Sequence, residues 1–169
     1  QMSGGGVVDG SGGNGASRLR LIDSLNKTFT ERFASFAVVT YEDRNSGAST
    51  DAHSTWWNVG VRPYYAFTDH FSLVAEVGHS EVRDDADRDT KGNHVGSRQM
   101  NRITIAPQLA IKAGIFARPV LRAFISQTMW NDVNQKYVNG GSTMSISPTQ
   151  AYMSQLSGTS IGVQTEVWF

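Results

Sequence analysis

Three aspartates at alternate positions, Asp85, Asp87 and Asp89, have the spacing that opens a calcium-binding loop. That pattern needs glycine at its sixth position and glutamate at its twelfth. Thr90 and Gly96 stand there instead, so the EF-hand motif fails and a solvated acidic loop is expected. The four histidines, His53, His70, His79 and His94, show no i, i+4 pair and no other paired-ligand spacing. No metal and no cofactor is therefore expected. Serine, histidine and aspartate are all present, yet nowhere in the arrangement of a triad, so no catalytic residue is assigned and the chain is read as a non-enzyme. What remains is a set of charges along alternating segments: Arg62, Arg102, Lys112 and Arg122 against Glu76 and Glu166, with Trp130 on the same face. On a pore wall such groups tune the passage of ions or other solutes. As cross-strand pairs they would only stiffen the wall.

The elements that position these groups are best seen at residues 160–169, SIGVQTEVWF. Ile161, Val163, Thr165, Val167 and Phe169 share one face, and Gly162, Gln164, Glu166 and Trp168 the other. Period-2 alternation marks a strand whose faces meet different surroundings. A strand of about ten residues built this way suits a transmembrane β-barrel, and equally the edge of a soluble sandwich. Other segments repeat the pattern. Trp57, Val59, Val61, Pro63, Tyr65 and Phe67 oppose Asn58, Gly60, Arg62, Tyr64 and Ala66. Ile103, Ile105, Leu109 and Ile111 oppose Arg102, Thr104, Gln108 and Lys112, and Leu121, Ala123, Ile125 and Met129 oppose Arg122, Phe124, Ser126, Thr128 and Trp130. The polar faces carry small residues, arginines and a few aromatics rather than the Lys, Glu and Thr of a solvated sandwich. The apolar faces carry aromatics near the strand ends, as an interfacial girdle does.

Seven strands are expected, over 18–25, 33–42, 56–67, 71–82, 101–113, 118–130 and 160–169. Pro63 and Pro107 fall inside two of them and call for a bulge or a local break. The links at 68–70 and 114–117 are short, whereas 43–55, 83–100 and 131–159 are long, polar and glycine-containing. Short turns on one rim and long loops on the other are the layout of outer-membrane barrels, and they tip the choice from sandwich to barrel. With 15 basic and 15 acidic residues the net charge is zero, so nucleic acid is not an expected partner. No cysteine is present, hence no disulfide framework. No apolar run approaches the ~20 residues of a membrane helix. Residues 1–17, rich in glycine and serine, read as a loop or linker before a strand region over 18–169.

The stretches STWWNVGVRPYYAFT (54–68) and FARPVLRAF (116–124), with the terminal GVQTEVWF, resemble in order and spacing the C-terminal portion of the maltoporin family of sugar porins. The resemblance implies an all-β antiparallel transmembrane barrel of 18 strands, of which this chain supplies about seven. It implies a homotrimer in the lipid of the bacterial outer membrane that passes maltodextrins or related sugars by facilitated diffusion. The family lines its constriction with a row of aromatics, the greasy slide, that touch the apolar faces of pyranose rings. Phe116, where the family commonly has Trp, and Trp168 fall at two slide positions. Parity puts Trp168 with Gln164 and Glu166 on the polar face. Phe116 shares the parity of Arg122 and Phe124 if the strand runs unbroken through Pro119. A barrel whose loops serve as an adhesin or phage-receptor surface, without transport, is the alternative. Seven strands cannot close on themselves, and lipid tolerates no open edge, so the chain is expected to be part of a longer protein.

Overall fold

A computed structural model of the chain describes residues 15–50, 52–89, 91–134 and 155–167. Seven strands follow one another: β1 (Ser17–Thr28), β2 (Phe33–Asn45), β3 (His53–Ala66), β4 (Phe71–Asp84), β5 (Arg98–Ala110), β6 (Val120–Trp130) and β7 (Ser157–Glu166). They form one antiparallel sheet in chain order, each strand bonded to its sequence neighbour. Lengths of 10 to 14 residues suit tilted strands that cross a bilayer. Strand boundaries shift by up to three residues: β5 starts at Arg98 and stops at Ala110, and β6 starts at Val120 rather than before Pro119. Most of the glycine-rich segment 1–17 lies outside the described residues.

In every pairing, even-numbered residues oppose even-numbered ones. Parity therefore assigns each strand residue to a face across the whole sheet. The odd face is apolar and open, and Ile161 and Val163 are 78% and 72% exposed. Such a surface suits hydrocarbon rather than water. Aromatics gather on this face at the rim of the short turns: Phe29 stacks on Phe33 at 5.2 Å, and Phe67 lies 5.1 Å from Tyr65 and 5.6 Å from Phe71. Toward the other rim, Trp57 lies 4.8 Å from the His79 ring. Eight residues of β3 separate Trp57 from Tyr65, roughly 26 Å of strand at ~3.3 Å per residue. At a tilt of ~40° that is about 20 Å of height, close to the apolar band of an outer-membrane barrel.

The two prolines do not shift the register. The pairing of β3 with β4 lapses at Arg62–Glu76 and Pro63–Ala75 and resumes unchanged at Tyr64–Val74. That of β5 with β6 lapses at Ala106–Phe124 and Pro107–Ala123 and resumes at Gln108–Arg122. Each proline lacks one N–H, so the ladder loses one step on one side, and no extra residue is inserted. The alternative of a bulge is thereby replaced by a gap. On the other side Pro63 stays opposite Ser35 and Pro107 opposite Leu73.

Links of four residues, 29–32 and 67–70, join β1 to β2 and β3 to β4. At the opposite rim the chain leaves the sheet after β2, β4 and β6 and re-enters it at β3, β5 and β7. The β5–β6 link departs from the short-turn rule, because it spans 111–119 and exceeds 46–52. It folds over the even face, where Ala113 and Ile115 pack on a buried cluster of Ala34, Tyr64, Ala66, Val74 and Ala106. Gly114 donates its N–H to Tyr64 Oη at 2.7 Å, and its φ of +149° disfavours any side chain there. Tyr64→Phe removes that acceptor from a residue only 3% exposed. The expected cost is about 1–3 kcal/mol, read as a lower urea midpoint together with faster protease cleavage within 111–119. A variant that resists protease as the parent does would show that the turn is held by packing alone.

Candidate functional site

The even face carries the charged groups singled out from the sequence. Arg62 donates Nε and Nη2 to Glu76 Oε2 at 2.8 and 2.6 Å. Arg122 donates Nε and Nη2 to Gln108 Oε1 at 3.1 and 3.0 Å, and Nη1 to Glu166 Oε1 at 3.1 Å. Arg118 pairs with the other oxygen of Glu166. Both arginines border the gaps that the prolines leave. Arg62 and Glu76 are themselves one of the missing backbone pairs, and Arg122 with Gln108 is the first pair beyond the second gap. Side-chain bonds thus bridge the first gap and flank the second. Arg62 is about half exposed and Glu76 about a third, so water screens their pair and it contributes at most ~1 kcal/mol. The Arg122 set is screened and holds the buried Gln108, so it matters more.

Of the residues expected on the polar face, Arg62, Arg102, Arg122, Trp130 and Glu166 all occupy even strand positions. Trp130 is only 7% exposed, at the end of β6, and its backbone N–H donates to Leu156 O at 2.9 Å. Lys112 lies beyond the end of β5, so strand alternation assigns it to no face. Phe116 also lies outside the strands. The unbroken strand that would have given it the parity of Arg122 does not exist, because β6 begins four residues later. Phe116 sits instead on the turn that folds over the even face, with 65% of its surface open. Trp168 lies outside the described residues. Phe124 is partly covered, since it packs against the buried cluster and its ring lies on Gly162. A Cβ at Gly162 would stand 2.6 Å from Phe124 Cζ, so any larger residue there would displace the ring.

Two open depressions of about 200 and 220 Å³ lie side by side on the even face. Both are lined by Arg62, Glu76 and Arg102. Phe36 and Val38 line the first. Sequence reasoning missed these two, although the even parity of 33–42 carried the signal. The inward turn had no local signal, because its anchor joins residues 50 apart in sequence.

In the acidic loop the carboxylates serve the protein itself. Asp87 is buried and lies 2.8 Å from Arg98 Nε. Asp89 accepts the N–H groups of Asn93 and Lys91, both at 2.8 Å, and the bonds from Asn93 above all hold its carboxyl below the usual aspartate range. Of the histidines, His53 opens β3 rather than lying in a loop, and its Nε2 is 3.0 Å from Asp43.

An antiparallel sheet with one lipid-compatible face, an aromatic girdle and one ion-paired polar face is the wall of a transmembrane β-barrel. The profile of the LamB porin family matches residues 2–169. The chain belongs to the LamB porin family, whose members are sugar-specific outer-membrane porins, channels rather than enzymes.

Proposed function

We propose that the even face lines a water-filled pore through which maltodextrins or related sugars cross the bacterial outer membrane by facilitated diffusion. The odd face meets lipid, and the complete porin is a homotrimer of 18-stranded barrels that needs no cofactor. The observation that carries the reading is Phe116, a large apolar ring left open on a turn that is itself anchored to the polar face. Exposed apolar area costs ~25 cal/mol per Å² in water, and the C–H face of a pyranose ring covers it. Trp168, at the other slide position that the resemblance implies, is taken as the second ring contact. Arg62, Arg122 and Glu166 keep the wall in register at the proline gaps. Weak successive contacts let a sugar enter and leave again. The test is single-channel current through the reconstituted complete porin. Maltodextrin should interrupt the current reversibly and with increasing dwell as the chain lengthens. A pore whose current maltodextrin leaves untouched would sink the reading.

A further inference from the structure

The two faces of the sheet differ in charge as well as in polarity. At even strand positions stand Arg18, Arg20 and Arg44 toward the β1 edge, and Arg62, Arg98, Arg102 and Arg122 across the middle. Opposing them are Glu42, Glu76, Asp84 and Glu166. That is seven cations to four carboxylates, a surplus of three, on one face of a chain whose net charge is zero. The odd strand positions hold Lys27 and Arg83 against Asp23, Asp43 and Glu81, a deficit of one.

Six of the seven arginines have a partner or stand at the sheet's margin. Glu42 takes both Arg18 and Arg20. Arg98 pairs with Asp87, and Arg62 and Arg122 are held as described, with Arg44 at the outer end of β2. Arg102 is different. It is exposed and has no hydrogen bond or ion pair among the described residues. The carboxylate diagonal to it, Glu76, has its Oε2 occupied by Arg62.

The wall around Arg102 is cleared. Across the sheet its row reads Gly60, Gly78, Arg102, Thr128, Gly158. Neither Gly60 nor Gly78 is demanded by packing. A Cβ at Gly60 would lie 3.6 Å from Val38, and one at Gly78 would lie 3.7 Å from Val59 O, both ordinary contacts. Glycine inside a strand weakens it, so two with no packing reason signal space kept for something approaching the wall. Gly60, Gly78 and Arg102 line the first depression together, and Arg102 also lines the second.

We infer that Arg102 is an anion-binding position that makes this stretch of wall favour anionic solutes, among them sugars bearing a phosphate or carboxylate. A guanidinium offers such groups two parallel N–H donors. The surplus of positive charge around it raises the local anion concentration. The inference rests on the proposal that the even face lines the pore.

The test uses the complete porin in planar bilayers, with glucose 6-phosphate as the probe and glucose as its neutral control. Glucose 6-phosphate should interrupt the current at lower concentration than glucose, and a KCl gradient should give a reversal potential of the sign set by chloride. Arg102→Gln should weaken interruption by glucose 6-phosphate about fivefold, the factor a unit charge at contact distance carries in water. Arg102→Lys should keep most of it, and Lys27→Gln on the opposite face should change nothing. Equal sensitivity of parent and Arg102→Gln to glucose 6-phosphate, or a reversal potential set by potassium, overturns the inference. If maltodextrin still interrupts such a pore, the sugar-channel reading stands and only the anion site falls. A protein that opens no pore overturns both.

Discussion

Arg122→Met should lower the stability of the sheet by about 2–3 kcal/mol, seen as a fall in the urea midpoint with an unchanged slope. Arg122 is the side chain that joins β5, β6 and β7, through Gln108 on one side and Glu166 on the other. Methionine keeps much of the volume and removes every donor. Gln108 Oε1, on a residue only 3% exposed, then loses both of the bonds it receives from Arg122. A buried acceptor left in that state costs more than the net gain of an ordinary hydrogen bond. The loss falls beside the Pro107 gap, where the backbone ladder cannot compensate. Arg118 still pairs with Glu166, which limits the damage at β7. The comparison variant is Arg62→Met. It breaks the staple at the Pro63 gap, but that pair is more open to water than the Arg122 set, and its loss should cost no more than ~1 kcal/mol. Equal costs for the two variants would mean that the gaps, and not the burial of their staples, set the energetics.

Much of this arrangement was legible because strand facing is a property of one strand at a time. Alternation within 56–67 or 160–169 needs no knowledge of the neighbour, so Arg62, Arg102, Arg122 and Glu166 could be put on one face from residue order alone. Partners are a different matter. A slip of two residues preserves every facing and changes every partner, so nothing local tells Arg122, which is held, from Arg102, which has no partner among the described residues. The prolines show the same limit. Their missing N–H is readable, but whether the chain answers with a bulge or a gap depends on the strands alongside. The turn at 111–119 was the largest departure. The parity argument for Phe116 assumed that β6 continued past Pro119, whereas the chain leaves the sheet at Ala110 and returns at Val120. What holds it there is a phenol from β3 and an apolar cluster from four strands, a contact that no window of sequence contains.

That turn makes Phe116→Ala the sharpest separation of function from fold. Sugar affinity should fall about 5- to 30-fold, while the urea midpoint stays within error of the parent. The affinity term follows from an aromatic face that meets a pyranose ring, ~1–2 kcal/mol by analogy with aromatic contacts. The unchanged stability follows from where the ring stands. Ala113 and Ile115 pack on the buried cluster and Gly114 is bonded to Tyr64, so the turn is anchored by its other residues, and Phe116 is left 65% exposed. Removing a side chain that touches little leaves no cavity, and so brings none of the cost of truncating a core phenylalanine. Phe116→Trp should bind sugar more tightly than the parent, since the larger ring offers more area to the same face. Tyr64→Phe should also reduce affinity, but through the anchor, so its loss of affinity should come with a lower midpoint and faster cleavage of the turn. These signatures separate a ring that touches sugar from a residue that places the ring. If Phe116→Ala binds maltodextrin as the parent does, the exposed ring is no sugar contact, and the sugar-binding face must be sought at Phe36 and Trp168 instead.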